Sequence, residues 1–192
     1  DNVCIVQADI FSIPCRPASF SRIYCFGVLQ HTPDPRRAFF SLVATAKAGG
    51  HLVVDVYKRN RVSKLVSFTP APPTKYWVRP LTKMLPPRSL YALVKGYVLL
   101  MWPASRMIAR LPRYGRNINW MLLIADHSNL GLSDEVQRKW AVLNTFDMLA
   151  PRFDIPQTLG EVRDWFQDDR FADIDVDFGY NGIVGKARIV HV

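Results

Sequence analysis

Apolar positions in this chain change their rhythm twice. Near the start they form three compact runs, Val3 to Val6, Ile23 to Phe26 and Leu52 to Tyr57. Near-continuous apolar, β-branched runs of this length predict strands covered on both faces, as in a parallel sheet. Between the second and third runs the spacing becomes helical: Ala38, Phe39, Leu42, Val43 and Ala46 fall on one face. Asp34 is placed to cap that helix and Pro35 to occupy its first position, with Gly49-Gly50 as the expected stop. Strand, helix and strand in this order predict a βαβ unit.

Further on, Leu90 to Trp102 reads as a helix capped by Ser89 and interrupted at Pro103. A second helix runs from its cap Ser133 to about Leu149. Pro70 to Pro87 holds six prolines and is expected to be an irregular connector. Thr158-Leu159-Gly160-Glu161 is a capping box for a helix with Leu159, Val162, Trp165 and Phe166 on its apolar face. Ala172 to Phe178 alternates strictly, with Ile174, Val176 and Phe178 opposite Asp173, Asp175 and Asp177. A half-exposed strand is expected there, with Ile183 to Val190 as its hairpin partner. The aspartates read as a solvent face rather than as metal ligands, and no metal site is expected.

The 192 residues suit one domain, or one domain with a large insertion, and mean hydropathy is close to zero. Cys4, Cys15 and Cys25 fit neither a zinc pattern nor a disulfide framework, so reduced, mostly buried thiols in a cytoplasmic protein are expected. The formal net charge of +9 is uneven. Residues 56 to 125 carry thirteen basic side chains and no acidic one. Residues 1 to 55 carry five basic and four acidic, and residues 126 to 192 seven basic and twelve acidic.

The stretches "VQADIFSIPCRPASFSRIYCFGVLQHTPDP" at 6 to 35 and "KAGGHLVVDVY" at 47 to 57 resemble a class I S-adenosylmethionine-dependent methyltransferase. The likeness is to the type 11 group that includes ubiquinone and menaquinone C-methyltransferases. It implies an α/β fold: an incomplete Rossmann-like sheet of parallel strands closed by a C-terminal antiparallel hairpin, with an inserted helical lid. The expected division is 1–57 for the later half of the cofactor-binding core, 58–150 for a basic, aromatic lid over the acceptor, and 151–192 completing the core.

The resemblance implies S-adenosyl-L-methionine as cofactor, with ligands at the carboxyl ends of the parallel strands. Asp9 matches the family's acidic residue that accepts from the adenine amino group, and Ile10 supplies the adjacent backbone N–H. Asp9 as a mere turn cap is the competing reading. Cys25, Phe26, Gly27, Val28 and Leu29 would line the methionine and adenine side, Gly27 allowing close backbone approach. His31 matches the second position of the family's frequent His-His pair, Gln30 standing at the first. It would orient the acceptor or take its proton, or else serve as a structural histidine. Tyr57, Tyr76, Trp77, Trp120 and Phe146 would line the acceptor or simply pack the helices. The chain has no Asp/Glu-x-Gly-x-Gly-x-Gly loop, so the resemblance implies a fragment of a longer enzyme, inactive alone, whose first strand lacks its neighbours.

Methyl transfer to a small, apolar or lipid-like acceptor is therefore expected. The alternative is a non-catalytic basic module. Its partner would be an anionic membrane surface, suggested by the apolar run Tyr97 to Ala104 flanked by Lys95 and Arg106, or nucleic acid. A solvated basic face is a third reading. Peripheral membrane contact fits the first two classes alike, and the oligomeric state is left open.

Overall fold

A computed structural model describes residues 2–59, 75–111, 114–180 and 182–191, without the side chain of Tyr76. The chain forms two compact units: Asp1–Arg61 with Phe153–Val192, called the sheet unit, and Val62–Arg152, the helical unit.

The sheet unit contains β1 (Phe20–Cys25), α1 (Pro35–Val43), β2 (Ala46–Val56), α6 (Leu159–Trp165), β3 (Phe171–Gly179) and β4 (Gly182–Ile189). Its four strands lie in the order β1-β2-β4-β3, with β1 and β2 parallel and β4 antiparallel to both neighbours. The expected architecture is met: a partial Rossmann-like sheet of a parallel pair plus a C-terminal hairpin. Asp34 caps α1 by accepting from the Arg37 N–H, and Pro35 opens the helix. The Thr158–Glu161 capping box is fully formed at α6. Phe39 is enclosed by the rings of Trp165, Phe166 and Phe171, at centroid distances of 5.5, 4.9 and 5.8 Å. Leu52, Val54, Val56, Ile183 and Ile189 complete this core from the strands. Gly185 admits the Phe166 ring, since a Cβ there would lie 2.4 Å from Cε2.

Four expectations need correction here. Val3 to Val6 forms no strand; the segment is exposed, Ile5 at 94%, because no described strand lies beside it to pair. Gly49-Gly50 does not stop α1. The helix ends at Val43, where Thr45 turns its hydroxyl onto the Leu42 carbonyl. Ala46 already pairs with Phe20, while His51 pairs with Arg22, so the glycines lie in a bulge of β2, Gly49 at φ +79°. Along β3 the alternation breaks at Asp173, φ +54°, where the register shifts. Val176 is buried, whereas Ile174 and Phe178 are exposed, and Asp173 and Asp175 pair with Arg188 and Lys186 of β4. Finally, Cys25 alone is a buried thiol; Cys15 is half-buried and Cys4 exposed.

The helical unit contains α2 (Lys75–Thr82), α3 (Pro87–Ala109), α4 (Gly115–Met121) and α5 (Asp134–Leu149). Leu90, Val94, Val98 and Trp102 of α3 meet Ala141, Val142 and Leu149 of α5, with Ile124 between elements. Ser133 caps α5 as expected. At its other end Arg79 donates to the carbonyls of Met148 and Pro151, and Thr82 to that of Leu149. The Met148 and Leu149 carbonyls are among those that a helix end leaves without partners.

Two readings change. Part of the expected irregular connector is helix α2, with Pro80 inside it, while 70–74 lie outside the described residues. Pro103 does not interrupt α3, which runs 23 residues through it, starting at Pro87 rather than from a Ser89 cap. A proline there deprives the Leu99 carbonyl of its donor. Leu99 lies on the exposed side, where water can serve instead, and the buried Val98 and Trp102 anchor the helix on both sides of the gap.

Candidate functional site

Three segments converge where β1 and β2 end at their carboxyl termini. After Cys25 the chain turns at Gly27, φ +70°, into a short 3-10 turn at Leu29–His31. After Val56, the Tyr57 carbonyl accepts from Gln157 N–H at 2.8 Å, and Arg59 N–H donates to the Gln157 carbonyl at 2.7 Å. The incoming segment at 153–157 is also tied to the first turn, with Ile155 N–H on the Gln30 carbonyl at 2.8 Å. Arg59 reinforces this by donating to Pro156 and pairing with Glu161 at 2.9 Å.

The polar groups held there are specific. Asp55, buried in β2, accepts from the Gly27 N–H. Burial first, and then the Asp55 charge, pushes the Cys25 thiol up to about 11, so it stays protonated and inert. His31 Nδ1 lies 3.1 Å from the Phe153 carbonyl. A carbonyl only accepts, so Nδ1 carries a proton, and in the neutral form of the ring the lone pair is on Nε2. That Nε2 is buried without a partner among the described residues. The ring stands edge-on to Tyr57, centroids 5.4 Å apart, which fixes its plane. Gln30 is fully enclosed, and neither amide atom has a partner among the described residues. Leaving such a group unmatched costs about 1–3 kcal/mol, which a bound polar group would relieve.

The remaining candidates fall into three places. Cys25, Phe26, Gly27, Val28, His31 and Tyr57 share the strand mouth; Phe26 and Val28 are exposed, while the Leu29 side chain is part of the core. Asp9 sits in an exposed turn, its carbonyl accepting from Ser12 N–H and its Oδ1 from Phe11 N–H. Ile10 is half-buried against the core beside it, and Phe11 lies under the Arg37 guanidinium at 5.0 Å, which ties the turn to the start of α1. Tyr76, Trp77, Trp120 and Phe146 belong to the helical unit. Trp77 and Trp120 are half-exposed there, and Phe146 packs edge-on against Tyr91.

Sequence reasoning passed over Asp55. Its signal was an acidic residue inside the otherwise apolar "LVVDVY", a position where a carboxylate survives only with donors to hold it. The set fits an adenosine-containing cofactor in part: an exposed carboxylate at Asp9, exposed apolar surface at Phe26 and Val28, and enclosed unmatched polar atoms at Gln30 and His31.

No match is found among curated proteins. Solved structures similar to this chain include a possible exported protein from Bordetella parapertussis, at 12% identity over 95% of this chain and 42% of that one, TM-score 0.43. A Thermotoga maritima protein described as a SAM-dependent methyltransferase, possible histamine N-methyltransferase, is 12% identical over 97% of this chain and 64% of that one, TM-score 0.43. The YcgJ protein of Bacillus subtilis is 14% identical over 98% of this chain and 72% of that one, TM-score 0.34. The chain thus spans less than two thirds of the first two structures. Residues 1–54, which hold the Asp9 turn, β1, the Gly27–His31 turn and most of β2, match the family model of a methyltransferase domain, type 11.

Proposed function

We propose that the sheet unit takes part in S-adenosylmethionine-dependent methyl transfer to a small apolar acceptor that gives up a proton. The observation that carries this reading is His31: its Nδ1–H is committed to Phe153, and its Nε2 is enclosed without a partner among the described residues at the mouth of two parallel strands. Bound S-adenosylmethionine supplies an electrophilic methyl group on a sulfonium.

The chain's own residues do the rest. Asp9 accepts from the adenine amino group through its remaining carboxylate oxygen, and the Ile10 N–H faces the ring. Phe26 and Val28 shield the cofactor's apolar side, and Asp55 locks the Gly27 turn so that the backbone holds its course. Tyr57 keeps the His31 ring in plane, and Nε2 takes the acceptor's proton. The match of residues 1–54 to a methyltransferase-domain model supports the assignment.

The test is ligand-observed NMR and calorimetry of the full chain with S-adenosylhomocysteine. Binding is expected, weakened about tenfold by Asp9→Ala, the equivalent of one charge-assisted hydrogen bond. His31→Gln should leave that affinity unchanged, since His31 serves the acceptor. Absence of binding, or binding indifferent to Asp9→Ala, overturns the reading.

A further inference from the structure

Helix α3 buries Leu90, Val94, Val98 and Trp102, yet its outward side is also apolar. Leu93, Tyr97, Leu100, Ala104 and Met107 recur at alternating steps of four and three residues, and Leu111 continues them just past the helix end. At about 100° per residue these positions form one straight stripe, running about 21 Å from Leu93 to Met107. All are exposed, Leu100 at 79% and Met107 at 70%. The third sector of the helix carries Arg88, Lys95 and Arg110, separated from the stripe by the small residues Ala92 and Gly96. None of these three cations has an acidic partner among the described residues. Arg106 is held instead by Asp134 and Gln137. There is no acidic residue anywhere from 56 to 125.

We propose that this outer face of α3 docks in the plane of an anionic lipid bilayer surface. The stripe enters the acyl boundary while Arg88, Lys95 and Arg110 meet the headgroup phosphates. Charge complementarity selects this occupant. A second copy would bring the same cations against the first, with no acidic residue on either α3 to offset them. RNA would need several aromatic faces for stacking, whereas the stripe is aliphatic apart from Tyr97. Among the described residues no helix is long and apolar enough to cross a membrane.

The experiment is co-sedimentation of the full chain with vesicles of phosphatidylcholine alone and of phosphatidylcholine with phosphatidylserine. Partitioning onto the anionic vesicles is expected at least about tenfold above the neutral ones, falling as salt rises. Leu100→Ala should lower it roughly tenfold by removing inserted apolar area. Alanine is the best helix former, so the loss would not reflect unfolding of α3. Lys95→Gln should lower it about fivefold. Equal binding to both vesicle types overturns the proposal, as does anionic binding indifferent to Leu100→Ala. A dimer in sedimentation velocity that Leu100→Ala dissociates, without vesicle binding, would assign the face to a second copy. Binding to RNA but not to vesicles would assign it to nucleic acid.

Discussion

The two units differ in how their charge and apolar surface are arranged. In the sheet unit Arg59, Arg170, Lys186 and Arg188 each pair with a carboxylate, and Arg36, Arg37 and Lys58 lie over the rings of Phe40, Phe11 and Phe178. One aromatic-rich core joins the sheet to α1 and α6. In the helical unit α3 carries three cations without acidic partners among the described residues, beside an apolar stripe outside the core. Exposed apolar residues occur in both units; what sets α3 apart is that they align on one helix face with cations beside them.

The contrast can be broken most forcefully at Phe39. It is fully buried among three aromatic rings, so Phe39→Ala should cost the sheet unit about 3–5 kcal/mol, read as a fall in the urea midpoint. A cost under about 1 kcal/mol would mean that the ring cluster is not the keystone of that core.

Pro103 tests the other side. Pro103→Ala restores a donor to the Leu99 carbonyl and should stabilise the helical unit by about 2 kcal/mol. That estimate is the helix penalty of proline, about 3, less the entropy it removes from the unfolded chain, up to about 1. An unchanged midpoint would show that α3 gains nothing from continuity at that turn.

The smallest effect concerns the ion pairs. Two hydrogen bonds from the Arg170 side chain, and one from its backbone, hold the Asp168 carboxyl well below the usual carboxylate range. Its folded form prefers the charged state, so its contribution is complete above the ordinary carboxylate pKa near 4 and is lost as pH falls below it. Asp168→Asn should flatten the acid side of a Tm–pH curve by at most about 1 kcal/mol, since the pair is partly exposed. An unaltered acid limb would remove Asp168 as its source.

How far the sequence could be read depended on the reach of the interaction. Asp34, Ser133 and the Thr158–Glu161 box act within three residues, and each caps its helix as its spacing implies. The β1–α1–β2 order and the closing hairpin were legible for the same reason: period and punctuation are local. Gly49-Gly50 looks like a helix stop, but pairing of Ala46 with Phe20 drew the segment into β2. Within the candidate site, the turn chemistry around Gly27 was visible, while the value of Asp55 was not. A carboxylate's partner 28 residues away has no local signature.

What the sequence determined alone is the caps of α1, α5 and α6, the strand–helix–strand order, and the basic middle without a single acid, because these follow from neighbours along the chain and from composition. Tertiary structure decided which proline is crossed, which apolar residues stay outside, and which histidine nitrogen keeps its lone pair. Each of those depends on a group brought close by folding: the core face that carries α3 through Pro103, the Phe153 carbonyl that fixes His31, and the packing of the helical unit that leaves Leu93 to Met107 facing water.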